Sequence, residues 1–326
     1  MTASADHLKA LLAAHAAADD DRFYSIALQV AAKSARQGHT RLAGELRELI
    51  DASRTQKITR SVAPTPVVQP RGELASLLTA DYPDIRLDEM TLSDETRALL
   101  EKVLHEQRQR GRLERFGFTP VHRLLLSGPP GTGKSMTAGA LARELGLPLF
   151  TIRLDGLISR FMGETASKLR LIFDTAAETR AVYLFDEFDA LGADRTSGND
   201  IGEARRILNS FLLFLDQAPA ESVVVAATNH RQLLDSALFR RFDLAVLYSA
   251  PSANQAMEIL QRRLSAMDTS AVTWPDLIAQ TERLSHAELV KAAESAAKRA
   301  ILGGSDVIDA GHLRDALEER HSLRHA

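Results

Sequence analysis

The sequence predicts an α/β fold: a parallel sheet wrapped by helices, preceded by a small helical bundle and followed by an all-helical tail. Three observations predict it. Across residues 73–249, apolar runs of strand length alternate with helical stretches, as in a parallel sheet whose strands are joined by crossover helices. A glycine-rich loop, Gly128-Pro129-Pro130-Gly131-Thr132-Gly133-Lys134-Ser135, lies between one such run and a helix-forming stretch that Met136 opens. After Pro251 the strand signals stop and amphipathic helical spacing takes over.

Taken in order, residues 1–52 form an alanine- and leucine-rich segment with helical spacing at Leu8, Leu11, Leu12, Ile26, Val30, Leu42, Leu46, Leu49 and Ile50. It reads as three short helices punctuated by Asp19-Asp20-Asp21 and Gly38, a bundle that buries little by itself. Residues 53–72 carry Arg54, Lys57, Arg60 and Arg71, no acid, and Pro64, Pro66 and Pro70, the composition of a linker. The α/β core follows over 73–249, with strands near Leu124, Phe150, Leu184, Val224 and Val246. Residues 250–326 make the helical tail, with helices over 254–264 and 288–302, the second stopped by Gly303-Gly304, and with Trp274 before Pro275 packing a corner.

The loop after Leu124-Leu125-Leu126 has the composition of a phosphate cradle. Glycines at this spacing let consecutive backbone N–H groups turn inward, and the helix behind them points its positive dipole end at the same place. The nucleotide-binding set is Gly128, Pro129, Pro130, Gly131, Thr132, Gly133, Lys134, Ser135 and Met136: Lys134 reaches the β- and γ-phosphates and Ser135 holds Mg²⁺. The second half of such a site is an acidic strand end. Ala181-Val182-Tyr183-Leu184-Phe185 has buried-strand character and runs into Asp186-Glu187. Acids at the carboxyl end of a parallel strand lie where open α/β sheets bind ligands. Asp186 supports Mg²⁺ and Glu187 polarises the attacking water, so hydrolysis of a nucleoside triphosphate is the expected chemistry.

With these motifs the chain resembles AAA-type ATPases of the P-loop class. The phosphate loop, the Leu-Phe-Asp-Glu-Phe-Asp run over 184–189, Ala226-Ala227-Thr228-Asn229, and Ala237-Leu238-Phe239-Arg240-Arg241-Phe242-Asp243 occur in that family's order over roughly the last three quarters of the chain. The resemblance implies ATP and Mg²⁺ as ligands and Asn229 as the polar residue that positions the water. It implies a homo-oligomer, a ring, expected to be a hexamer, or a dimer-like pair, in which Arg240 or Arg241 completes a neighbouring subunit's site. Many relatives separate these arginines by Pro-Gly; here they are adjacent, and the resemblance leaves open which one crosses. Ser285-His286-Ala287-Glu288 stands where the family has a Ser-Gly-Ala-Asp turn near the adenine, with His286 in place of glycine. The helical tail then corresponds to the family's lid. Ser159-Arg160-Phe161-Met162-Gly163-Glu164-Thr165 resembles the aromatic loop that protein-remodelling members push into a central pore; Phe161 beside the thioether of Met162 would grip side chains without demanding a sequence. At whole-chain level, Pro70-Arg71-Gly72-Glu73-Leu74 and the 184–191 run followed by Ser197-Gly198-Asn199-Asp200 resemble bacterial AAA ATPases encoded beside a subtilisin-like serine protease, pairs that act in plasmid competition and phage defence.

Composition narrows the setting. A net charge of −3 argues against a basic nucleic-acid coat, and the absence of cysteine excludes disulfides, thiol catalysis and thiolate zinc sites. The apolar stretch 10–18 is too short to span a bilayer and lacks a basic flank, so the expectation is a cytoplasmic protein without a membrane partner. His105-Glu106 starts like a metalloprotease zinc helix, but Gln109 stands where the second histidine is required. His321 and His325, at an end expected to fray, read as a plain tail. Three functions stand: a ring ATPase that remodels or unfolds proteins, a nucleic-acid-associated loader using the basic linker, and an ATP-dependent switch. Phe161 and Met162 favour the first, the acidic balance opposes the second, and Glu187 with Asn229 opposes the third.

Overall fold

The computed structural model describes Gly44 and residues 69–157, 164–191, 200–233 and 236–325. The chain divides into two units, Met1–Pro66 and Val67–Ala326. The expected N-terminal bundle and most of the expected linker therefore lie outside the described residues.

Six strands form one sheet in the order β1-β3-β4-β5-β2-β6: β1 Leu78–Asp81, β2 Arg123–Ser127, β3 Leu149–Ile152, β4 Val182–Phe185, β5 Val223–Thr228 and β6 Leu244–Leu247. The five strands expected from sequence are parallel to one another. A sixth, β1, was not expected; it pairs antiparallel with β3 at the edge. Its four residues alternate only once between buried and exposed, too short a pattern to stand out from a loop.

The central strands are buried along their whole length because helices cover both faces. Alternate residues go to alternate cores. Leu125, Tyr183, Phe185, Val224 and Ala226 pack on one side with helices α3 (Glu164–Glu178) and α4 (Asp200–Asp216). An aromatic cluster fills this side, with Phe173, Phe185 and Phe188 around Phe211 at ring separations of 4.7 to 5.8 Å. Leu124, Leu126, Val182, Leu184, Val225 and Val246 pack on the other side with α1 (Asp94–Arg108) and α2 (Lys134–Leu145). Ser93 caps α1 by accepting the Thr96 N–H.

Beyond β6 come α5 (Ala253–Arg263), α6 (His286–Leu302) and α7 (Ala310–His325), with short helical turns between α5 and α6. They share a third core of their own, including Ile259, Leu260, Leu277, Leu289, Ala293 and Leu317, with Trp274 packed against it. Ser252 and Ser285 open α5 and α6 with reciprocal capping boxes to Gln255 and Glu288. The chain end is not frayed as expected: α7 continues to His325, and Nε2 of His321 lies 2.7 Å from the Gln280 carbonyl oxygen.

The amino edge of the sheet is closed by Asp243. Its carboxylate accepts the backbone N–H groups of His122 (3.1 Å) and Arg123 (3.0 Å) and the Arg123 guanidinium (3.0 and 2.5 Å). Burial pushes this carboxyl up, but the Arg123 guanidinium and the two amides together hold it below the ordinary value of 3.8. Such a group stabilises the fold fully above pH 3.8 and loses that contribution as the pH falls through the lowered value. Asp243→Ala is expected to lower the unfolding free energy at pH 7 by about 2–3 kcal/mol. Urea titrations should show the gap between variant and wild type closing as the pH drops below 3.8.

Candidate active site

The site is built at the carboxyl edge, where β2 turns into the glycine-rich loop. Its shape depends on a residue far away in sequence. Tyr248, just past β6, donates its N–H to the Ser127 carbonyl (2.7 Å), and a Cβ on Gly128 would lie 2.3 Å from the Tyr248 carbonyl oxygen. The Tyr248 hydroxyl and Thr137 Oγ1 share a buried hydrogen bond of 2.6 Å, and burial pushes the phenol up to about 12. The tyrosine thus holds the strand end, the loop's first residue and the first turns of α2 together.

Gly133 forms the N-cap of α2 at φ 96°, a conformation that side-chain-bearing residues rarely adopt. Inside the loop Thr132 Oγ1 donates to the Pro129 carbonyl (2.8 Å) and Lys134 Nζ donates to the carbonyls of Gly128 and Pro129 (both 2.8 Å). Pro129, Pro130, Gly131, Ser135 and Met136 are exposed on the rim, whereas Lys134 is only 6% exposed. Burial pushes the lysine ammonium below its ordinary value, and the charges of Asp186 and Asp189 oppose that shift.

Strand order puts β5 between β2 and β4, so the loop strand and the acidic strand end are about 10 Å apart at a spacing of roughly 4.8 Å per strand. The first turn of α2 closes that gap: Ser135 Oγ donates to Asp186 Oδ2 at 2.6 Å. Two hard oxygen donors at one point fit Mg²⁺, which takes one or two protein ligands and fills its octahedron with water and phosphate oxygens.

Glu187 follows with φ +50°, left-handed for a residue that has a Cβ, at a cost of order 1–3 kcal/mol. Its N–H donates to Asp186 Oδ1 (2.9 Å) and its carbonyl accepts the Ala190 N–H (2.8 Å). This tight turn directs the two acids apart, Asp186 toward Ser135 and Glu187 into solvent. The other expected water ligand, Asn229, lies at the exit of the neighbouring β5 and is half-buried. Its N–H donates to Asp189 Oδ1 (3.2 Å), which also accepts Thr228 Oγ1 (2.8 Å).

Arg240 and Arg241 are not part of this cluster. Arg241 pairs with Asp216, which faces Arg123 (3.7 Å) at the opposite end of β2, roughly 13 Å of strand rise from the loop. Arg240 is exposed and has no partner among the described residues. Phe161 and Met162 lie outside the described residues. From the helical tail, the turn at 285–288 sits directly on the loop: the Ala287 N–H donates to the Gly131 carbonyl at 3.0 Å. His286 is half-buried; burial pushes its imidazole below the ordinary value, partly opposed by the Thr91 backbone.

Sequence reasoning missed Asp189 and Tyr248 as parts of the site. Asp189 had a signal, since an acid three residues after Asp186 returns to the same side of a tight turn. Tyr248 had none, being more than a hundred residues from the loop it supports. Among the described residues no helix is long and apolar enough to cross a membrane.

The family model for the ATPase family associated with various cellular activities (AAA) matches residues 124–249. An uncharacterized AAA family ATPase, y4kL, of Sinorhizobium fredii is 34% identical over 248 residues, covering 76% of this chain and 74% of that protein. The ATP-dependent zinc metalloprotease FtsH of Helicobacter pylori strain J99 is 31% identical over 257 residues, 76% of this chain and 41% of that protein. The ATPase family protein 2 homolog of Caenorhabditis elegans is 29% identical over 308 residues, 90% of this chain and 42% of that protein. The chain thus spans about three quarters of the first relative's length and about two fifths of the other two.

Gly128→Ala tests the contact that shapes the loop. A methyl group driven against the Tyr248 backbone should lower nucleotide affinity at least about tenfold and stability by about 1–3 kcal/mol. Calorimetric titration with Mg·ATP and urea denaturation read the two effects; wild-type affinity in the variant would show that the loop adapts.

Proposed function

This chain belongs to the AAA family of ATPases, and we propose that it is a ring-forming motor that couples Mg·ATP hydrolysis to the remodelling or unfolding of protein substrates. Hydrolysis itself is the family's chemistry and is this protein's activity. The observation that supports our assignment of residues is the 2.6 Å contact between Ser135 and Asp186, which brings the phosphate loop and the acidic strand end to one point.

In this reading the loop amides and Lys134 bind the phosphates, Lys134 exchanging its carbonyl partners for phosphate oxygens. Ser135 and Asp186 would hold Mg²⁺, which would supply charge neutralisation for the phosphates. Glu187, directed away from the Ser135–Asp186 pair, takes up the proton of the attacking water, a role worth typically 10² to 10⁴ in rate. Asn229 orients that water from the adjacent strand. Arg240 is the arginine donated to the neighbour, because Arg241 is paired with Asp216 and Arg240 is free among the described residues. An arginine so donated can contribute roughly 10³ to 10⁵ in rate.

Protein remodelling is supported by the Phe161-Met162-Gly163 sequence and by the family, whose members generally act as homo-oligomers on protein substrates. We place the protein in the cytoplasm, and we name a subtilisin-like serine protease as its partner on the strength of the sequence resemblance alone.

Mixing subunits tests the ring. Glu187→Gln subunits and Arg240→Ala subunits should each hydrolyse ATP at about one per cent of the wild-type rate or less, at least a hundredfold loss, while still binding it. Mixed assemblies should recover activity, because some interfaces then join an intact Glu187 to an intact Arg240. If Arg241→Ala complements in the same assay and Arg240→Ala does not, the two arginines exchange roles; if neither does, the site is not shared.

Phe161→Ala tests the use of the motor. Basal ATP hydrolysis should stay within about twofold of wild type, since no phosphate or water ligand is removed, while ATP-dependent unfolding of a tagged reporter protein is lost. Equal unfolding by variant and wild type would remove the pore loop and favour the loader or switch.

A further inference from the structure

We propose that Asp189 is a positioning residue for hydrolysis, holding the exit of β5 so that Asn229 and Glu187 address the same water. This rests on the reading that those two residues handle the water. One oxygen, Asp189 Oδ1, accepts both the Thr228 hydroxyl (2.8 Å) and the Asn229 backbone N–H (3.2 Å). The Thr228 hydroxyl oxygen in turn accepts the His230 N–H (3.0 Å). Three consecutive residues at the end of β5 are thereby fixed through one carboxylate. Thr228 is fully buried, so its hydroxyl has no water to fall back on.

The carboxylate has a rigid mount. Asp189 belongs to the 3-10 turn Phe188–Leu191, whose first residue is fully buried with its ring 4.7 Å from that of Phe211. That turn continues directly from Glu187, whose carbonyl accepts the Ala190 N–H. Glu187 and Asn229 come from different strands, and Asp189 links them through a turn on one side and two hydrogen bonds on the other. A displacement of the order of 1 Å at a positioning group can cost about a hundredfold in rate, so a short link of this kind has kinetic weight. Asp189 is also near enough to Lys134 to favour its charged form, which places it within the electrostatic field of the loop.

Steady-state ATPase kinetics and calorimetric ATP binding on the full chain test the proposal. Asp189→Ala should lower kcat at least about tenfold with KM and ATP affinity changed by less than about twofold. Asp189→Asn keeps an acceptor oxygen in place and should recover most of the rate, as should Thr228→Ser, whereas Thr228→Val should fall with Asp189→Ala. Asn229→Ala should be slow, and combining it with Asp189→Ala should add little, because both remove one positioning device. Should Asp189→Ala fail to fold, Thr228→Val alone carries the test. A slow Asn229→Ala beside a wild-type kcat in Thr228→Val or Asp189→Ala overturns the role of Asp189. So does a loss in Asp189→Ala that appears in ATP affinity rather than kcat. A wild-type kcat in Asn229→Ala instead removes the reading of Asn229 on which the proposal stands.

Discussion

The order of the strands sets the problem that the rest of the site solves. β5 separates the strand that carries the glycine-rich loop from the strand that carries the acids, so the two strand ends begin about 10 Å apart. Backbone pairing alone cannot bring them closer. Two side-chain braces at the carboxyl edge do: Ser135 reaches across to Asp186, and Asp189 reaches back to Thr228 and Asn229. The opposite edge has a brace of its own in Asp243, which ties β6 to the start of β2. Between the two edges the central strands are buried and their register is fixed by alternating contacts to two cores, so a shift at one brace is resisted by the sheet's interior.

Burial makes these braces matter. Lys134 is nearly removed from solvent, which disfavours its charge, and Asp186 and Asp189 oppose part of that effect. In such surroundings an ammonium interacts with phosphate far more strongly than it would in water. The same acids that order the strand ends therefore also oppose part of the effect of burial on the lysine. The left-handed backbone at Glu187 is the local cost of the arrangement, and the turn's hydrogen bonds at 2.8 and 2.9 Å offset part of it.

The helical tail has its own core, yet it touches the loop through the Ala287 N–H to Gly131 carbonyl bond at the capped start of α6. Tyr248, whose backbone lies against Gly128 of the loop, stands immediately before the segment leading into the tail. A change in loop geometry thus meets the tail at two places, one through its first connecting residues and one through the head of α6.

The sequence by itself determined the parts of the protein whose signals are local. Apolar runs bounded by helical stretches identified five of the six strands, and the glycine-rich loop and Asp186-Glu187 stood out as motifs of fixed short spacing, which the structure brings together through Ser135 and Asp186. β1 was not legible, since four residues at an edge carry almost no periodicity. Tertiary structure decided what depends on strand order and on contacts between distant residues. It joined Tyr248 to Thr137 and Gly128, set Asp189 against Thr228 and Asn229, and paired Arg241 with Asp216 while leaving Arg240 exposed. The reason is that a sheet permutes its strands: residues adjacent at its edge can be any distance apart along the chain, and the side chains that span the gaps are chosen by position rather than by any local pattern.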